Sequence, residues 1–408
     1  MRSVFSVLVR HRDFRRLFLA ELVIFGGDWF AVVPLMSLLL DLTDRGIWGS
    51  LALAADTGIN ALLLPYAGTV ADRVDRRRIL LVASLASVLT ILLLLGVRAP
   101  AMAWLGPVAI GLLGAAKAFY SPAALAALPN LVPAKDLSTA NALSGSAWGT
   151  MLVVGASLGG AMTALVGPYV CFLIAAGCLL VATWLVWRIR SPLQQGRPAT
   201  TPRAWPALRE GLGYIRRHPR VLSLVTVKSA VGVGNGVLAG FPLLAVGFGA
   251  GPMGTGLLFA ARGTGALVGP FLLRRLLLTR GNRLLTGLAI SMAGYGLAYI
   301  GAAASGWFAL TLVLVVLAHV AGGGNWAMSN YALQQEVPDE LRGRVFATDM
   351  MLATLAISAS LLAFGALVDV VPVRPLIAGC AALTVVYAVG WGLAVRSVQR
   401  ADRVSEAL

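Results

Sequence analysis

Apolar runs of roughly twenty residues follow one another from Leu17 to Val395, separated by short polar or Gly/Pro-containing turns. A helix of about 20 residues crosses a bilayer's hydrocarbon core. With no water there, only intrahelical hydrogen bonds satisfy the backbone along such a run. The pattern predicts six spans in the first half: Leu17–Leu40, Trp48–Val70, Ile79–Val97, Trp104–Leu128, Thr139–Ala164 and Tyr169–Trp187. Six more are predicted in the second half: Val221–Phe248, Gly254–Leu273, Leu284–Ala304, Trp307–Tyr331, Val345–Val368 and Pro375–Val395. The one long connection, Arg188–Arg220, is rich in Arg and Pro and reads as a cytoplasmic linker between two helix bundles. The expected division is therefore residues 1–188, a linker over 189–220, and residues 221–408. An all-α membrane protein of twelve transmembrane helices in two pseudo-symmetric six-helix bundles is the fold class this implies.

Charge fixes the orientation. Of 33 Lys and Arg residues, 27 fall in the termini and even-numbered loops, three in odd-numbered loops (Arg45, Arg98, Arg374) and three inside spans. The asymmetry puts both termini in the cytoplasm, and a different span count would scatter the basic loops over both faces. A net charge of +16 would suggest nucleic acid for a soluble chain, but these arginines are dealt out between apolar runs, so no nucleic-acid partner is expected. The composition, 58% hydrophobic and 12% charged with a mean hydropathy of +0.83, excludes a water-soluble fold. The first apolar run is long enough to span, holds Glu21 and Asp28 and has no small-residue cleavage site, so it reads as span one, not a leader. Cys171, Cys178 and Cys380 lie in apolar runs without a CxxC pattern and carry no expectation of a disulfide or a metal. The halves also look like repeats, with Leu131-Val132-Pro133 before span five answering Glu336-Val337-Pro338 before span eleven. Sliding one half onto the other sets Asp56 on Arg262, Glu21 on Lys228 and Asp28 on Asn235.

Between spans two and three stands Gly68-Thr-Val-Ala-Asp72-Arg73-Val-Asp75-Arg76-Arg77-Arg78. It resembles the G-x-x-x-D-R-x-G-R-R-x signature loop of the major facilitator superfamily, with Asp75 where many members carry glycine. Arg12-Asp13-Phe14-Arg15-Arg16-Leu17, Gly26-Gly27-Asp28-Trp29, Phe119-Tyr120-Ser121-Pro122-Ala123 and Val337-Pro338-Asp339-Glu340-Leu341-Arg342-Gly343-Arg344-Val345-Phe346 resemble the bacterial exporter branch that includes macrolide-efflux and siderophore-efflux proteins. Two departures stand out. Gly155-Ala-Ser-Leu-Gly159-Gly160 resembles the antiporter motif of span five but has Ala156 in place of proline. The span-four arginine of many proton-coupled members aligns with Leu113, and Lys117 follows one turn later on the same face. By resemblance, Gly68, Asp72, Arg73, Arg76 and Arg77 form a cytoplasmic gate, Asp72 facing the positive end of span eleven near Val345 and the arginines tying to acids such as Asp136 or anchoring that membrane face.

A charge inside a span costs about 2.5–3.5 kcal/mol on insertion scales, so such groups face a bundle interior or a wet cavity. The proton-coupling candidates are Asp28, Glu21, Asp56, Lys117, Lys228, Arg262 and Asp349. Asp28 and Glu21 share one face of span one, and Asp28 lies about 16 Å beyond Leu17, near mid-membrane. Glu21 is shallow enough to snorkel, and Asp28 is alternatively a structural carboxylate bonded to a neighbouring helix. An ion pair of Asp28 or Glu21 with Lys228 across the cavity would break on protonation and so drive alternating access. Candidates for a substrate cavity are Asn235, His319, Asn325, Trp326, Phe119, Tyr120 and Trp148, each also readable as helix packing. Gly322-Gly323-Gly324 would let span ten bend or approach a neighbour.

The expected function is proton-coupled export of a small amphipathic molecule from a bacterial cytoplasm, through the inner membrane, by a monomer that needs no cofactor. An importer or lysolipid transporter would share the fold, and a transport-inactive scaffold or sensor is the alternative of another class. HExxH and GxxxxGK[ST] motifs are missing and no metal ligands cluster, so neither an enzyme nor direct ATP drive is expected.

Overall fold

In a computed structural model, the chain is described over residues 2–194, 204–278 and 284–396, and no strand occurs among these residues. Among the described residues, twelve helices are long and apolar enough to cross a membrane. Spans one to six are Arg12–Thr43, Ile47–Arg73, Arg76–Gly96, Pro100–Leu131, Ala134–Val166 and Pro168–Trp187. Spans seven to twelve are Pro219–Gly247, Gly251–Leu273, Leu284–Ala304, Phe308–Glu336, Asp339–Leu367 and Val373–Ala394. The span count is the expected one. Spans one, two, four and five run past both expected ends because their polar first and last turns lie outside the apolar stretch that hydropathy detects, whereas span nine keeps its expected bounds.

Two further helices were hidden from hydropathy by their polar faces. Arg2–Arg10 precedes span one, and Ala204–Arg217 lies within the segment read as linker. The second alternates buried Gly211 and Ile215 with exposed Trp205, Arg209, Arg216 and Arg217, so it rests one face on the protein. That face meets the start of span eleven, where Arg344 Nη1 lies 2.6 Å from Glu210 Oε1 and Gly211 packs on Thr348.

Within each half, spans one, five and six pack together, as do two with four, nine with twelve and eight with ten. The halves meet along two seams, span two against eleven and span five against eight. Small residues set these seams: a Cβ on Gly160 of span five would stand 2.7 Å from the Pro252 carbonyl and 2.9 Å from Gly256 Cα of span eight. In span ten the glycine run serves close approach, since a Cβ on Gly323 would meet the Ala266 backbone at 2.8 Å.

Among the described residues, polar ties between the membrane helices of the two halves lie between loops one and eleven and mid-membrane. Arg45 Nε is 3.1 Å from Asp369 Oδ2, the Gly46 amide donates to Asp369 Oδ1 at 2.6 Å, and Ser358 Oγ donates to the Ala54 carbonyl at 2.8 Å. This conformation is latched at the loop-one end. Replacing Asp369 with alanine removes both the Arg45 pair and the charge-assisted bond to Gly46, each contributing on the order of 1 kcal/mol. The expected result is several-fold faster maleimide labelling of Ser50→Cys, which is buried at that end, in a chain whose native cysteines are replaced by serine. Unchanged labelling would show that Asp369 holds nothing shut.

Candidate functional site

The signature loop is shaped by its one departure from the family pattern. Asp75 caps span three, its Oδ1 accepting from the Arg77 and Arg78 amides at 2.8 and 3.2 Å, which satisfies two of the helix's orphan donors. Arg76 donates to the Ala126 carbonyl at 2.7 Å and the Leu193 carbonyl at 3.3 Å, and Arg77 donates to the Trp187 carbonyl. These arginines therefore bind backbone of their own half and the start of the linker. Asp136, expected among their partners, is taken by His11 at 2.9 Å and by Arg10 at 4.0 Å. Asp72 is 45% exposed in its side chain and reaches Arg76 at 4.0 Å, with no hydrogen bond to the end of span eleven among the described residues. That fits a molecule latched at its opposite end. Gly68 has open space where a side chain would stand.

The acidic candidates of the first half are drawn together by Lys117. Its ammonium donates to Asp28 Oδ2 at 2.7 Å and lies 2.8 Å from Asp56 Oδ1, an ion-pair distance without a directed hydrogen bond. Three helices contribute: span one carries Asp28, span two Asp56 and span four Lys117. Asp28 is nearly closed off at 6% side-chain exposure, whereas Asp56 and Lys117 keep 19% and 12%. The approach of spans two and four depends on Gly114, where a Cβ would fall 2.6 Å from the Asp56 carbonyl oxygen. One ammonium between two carboxylates leaves one excess negative charge when both acids are ionised, and a single proton makes the cluster neutral. Glu21, instead of snorkelling, is buried and accepts from Ser144 Oγ at 2.8 Å.

The second half has its own pair. Lys228 of span seven, with 0% side-chain exposure, pairs with Asp349 of span eleven at 2% and donates to Asn330 Oδ1 at 2.6 Å. The Trp326 ring lies 5.6 Å from its ammonium. The expected cross-cavity pair of Lys228 with Asp28 or Glu21 is thus absent, because each acid finds a counter-ion or donor within its own half. Asp349 stands ten residues into span eleven, too deep for the helix end to stabilise it, and Lys228 does so instead.

Of the polar cavity candidates, three are consumed by packing. Asn235 donates to the Val231 carbonyl of its own helix at 2.5 Å, His319 Nε2 meets Tyr299 Oη at 2.8 Å, and Asn325 donates to Leu288 O at 3.0 Å and Ser291 Oγ at 2.9 Å. Tyr120 is 2% exposed. Phe119 stands edge-on to Tyr66 at 6.4 Å, and Trp148, 39% exposed, lies beside Arg262, as does Trp29. Tyr66 and Asn330 were not singled out from the sequence, and Trp29 entered there only as part of the Gly26-Gly27-Asp28-Trp29 segment, without a site role. Trp29 adjoins Asp28, and Asn330 is one turn from Trp326, so proximity to a candidate was the only signal available.

Twelve spans in two bundles, a charged seam between helices and the signature loop define a secondary-transporter architecture. The sequence profile of the Major Facilitator Superfamily matches residues 17–347, and the chain belongs to that family of transporters. It is 24% identical over 339 residues to "Putative bacilysin exporter BacE" of Bacillus amyloliquefaciens, covering 81% of this chain and 82% of that protein. The protein of the same name from Bacillus subtilis (strain 168) is 23% identical over 331 residues, 79% of this chain and 80% of that one. Among solved structures, the peptide-transporter-family protein PepTSo superposes with a TM-score of 0.73 at 13% identity, over 96% of this chain and 99% of that one. The nucleoside transporter NupG gives 0.69 at 14%, over 94% and 99%. A bacterial homologue of the human lysosomal transporter Spinster, in an inward-facing, unoccupied conformation, gives 0.66 at 14%, over 95% and 96%. At these identities the structural likeness speaks for the fold alone.

Proposed function

We propose that this transporter is a proton-coupled exporter of small amphipathic molecules, acting as a monomer in a bacterial inner membrane with both termini in the cytoplasm. The observation that carries the reading is Lys117 held between Asp28 and Asp56 in the middle of the first half. A mid-membrane cluster that is neutral with one proton and anionic without it gives the proton a reason to enter and leave as the surroundings alternate between wet and closed. Export is supported by the name of the relatives and by the resemblance to efflux proteins, and the cytoplasmic termini by the arginine distribution. The latch of Arg45 and Gly46 on Asp369 then closes the outer face, leaving the cavity to load from the cytoplasm.

The test is growth of an efflux-deficient bacterium on a chemically varied panel of antibiotics and dyes, with wild type, Asp28→Asn or an empty vector. Resistance with wild type that disappears with Asp28→Asn, at equal membrane abundance, is the expected result. Resistance that survives Asp28→Asn undiminished would remove the coupling role, and sensitisation by wild type would reverse the direction.

A further inference from the structure

Lys117 has two carboxylates and Lys228 has one, whereas Arg262, the third cation inside a span, has no acid within ion-pair distance among the described residues. It stands midway along span eight, at the seam with spans one and five. Its guanidinium carbon lies 5.4 Å from the ring centroid of Trp29 and 5.6 Å from that of Trp148. The titratable groups near it are Tyr295, Tyr299 and His319, none of them a carboxylate. Indole rings engage the faces of a guanidinium. They leave its five N–H donors, which lie in the plane, still wanting acceptors, and the described residues supply no side-chain or backbone acceptor. A second donor is idle at the same place: Trp29, 8% exposed, has its indole Nε1 buried without a hydrogen-bond partner. Trp148, the second ring beside the guanidinium, is 39% exposed and so leaves part of its face uncovered.

We propose that Arg262, between Trp29 and Trp148, is the anion subsite of the transport cavity, receiving the carboxylate of a substrate whose aromatic or aliphatic part lies on the two indoles. The inference rests on the transporter reading and narrows its substrate class from amphipathic molecules to amphipathic acids. A guanidinium edge matches the two oxygens of a carboxylate, and the unused indole N–H supplies a further donor beside it. Keeping an unpaired cation at mid-membrane disfavours the empty protein, and the incoming anion relieves that cost, so charge selects the substrate. Neither acid cluster reaches Arg262 at ion-pair distance: Lys117 holds both Asp28 and Asp56, and Lys228 holds Asp349.

The test is equilibrium binding by calorimetry to the purified full chain in nanodiscs of zwitterionic lipid, with 4-phenylbutyrate, its uncharged amide and 4-phenylbutylamine as probes. Wild type is expected to bind the acid on the order of tenfold more tightly than the amide, the ratio that one charge-assisted hydrogen bond confers, and the amine least. Arg262→Gln should make acid and amide equal, Arg262→Lys should keep part of the preference while holding a cation in the fold, and Trp148→Leu should weaken both ligands alike. Equal binding of acid and amide to wild type, preference for the amine, a preference that survives Arg262→Gln, or no binding of any probe would overturn the assignment. Binding needs no proton gradient, so a failure here leaves the coupling proposal standing, and a failure of coupling leaves this site standing.

Discussion

Replacing Lys228 with methionine is expected to destabilise the purified protein by about 3–5 kcal/mol, the cost of leaving a buried charge without its partner. Adding Asp349→Leu to the same chain should recover most of that loss. Among the described residues this ion pair is the most enclosed, at 0% and 2% side-chain exposure. Without the ammonium, Asp349 is left buried without the counter-ion that pairs with it, and Asn330 loses the donor it accepts from. In the double variant two hydrophobic side chains of similar length fill the space, and no desolvated charge remains. Thermal unfolding followed by tryptophan fluorescence, for wild type, both single variants and the double, closes the cycle. A double variant less stable than Lys228→Met would mean that the pair contributes more than charge neutralisation to the C-terminal half.

How far the sequence reaches depends on which physical constraint is acting. The bilayer forces each crossing to be an apolar run of about 20 residues, so the number of spans and the arginine asymmetry can be read without any tertiary knowledge. Glycines at the seams are legible for a similar reason: Gly160 tolerates nothing larger, whatever its partner. Pairing of charges is different. Glu21 and Asp28 do share a helix face, but a face does not name its neighbour, and Asp28 turns to span four while Glu21 turns to Ser144 of span five. Lys117 aligned one turn from the family's arginine position, and one turn is 5.4 Å along the helix, short enough for a lysine to reach both acids. Asp75 looked like a departure in the signature loop and proves to be a helix cap, a local role visible in principle from an aspartate just before a helical run. The helix Ala204–Arg217 escaped because flanking Pro and Arg made the segment read as spacer, although Leu208, Gly211 and Ile215 fall at helical spacing.

The largest functional effect is expected at Lys117. In Lys117→Met, Asp28 and Asp56 face each other without a cation, so each must hold a proton or repel the other in a poorly solvated site. Asp56 keeps 19% exposure and so retains some access to water, which makes the loss of stability smaller than at Lys228. The loss of coupling should be complete, because a cluster of two protonated acids is already neutral and no longer alternates between zero and one negative charge. Asp56→Asn acts in the opposite sense: it leaves a permanently neutral Asp28–Lys117 pair that needs no proton at all. On the proposed mechanism both variants therefore bind substrate yet fail to move protons with it, for opposite electrostatic reasons. Proteoliposomes carrying a trapped pH-sensitive dye distinguish them from wild type when substrate is added under an imposed pH gradient. Substrate-dependent proton flux is expected in wild type alone, and flux in Asp56→Asn at the wild-type rate would restrict the coupling site to Asp28 and Lys117. If flux also persists in Lys117→Met, the cluster is a structural element of the first half, and the buried Glu21, bonded to Ser144, becomes the acid of span one left to exchange a proton.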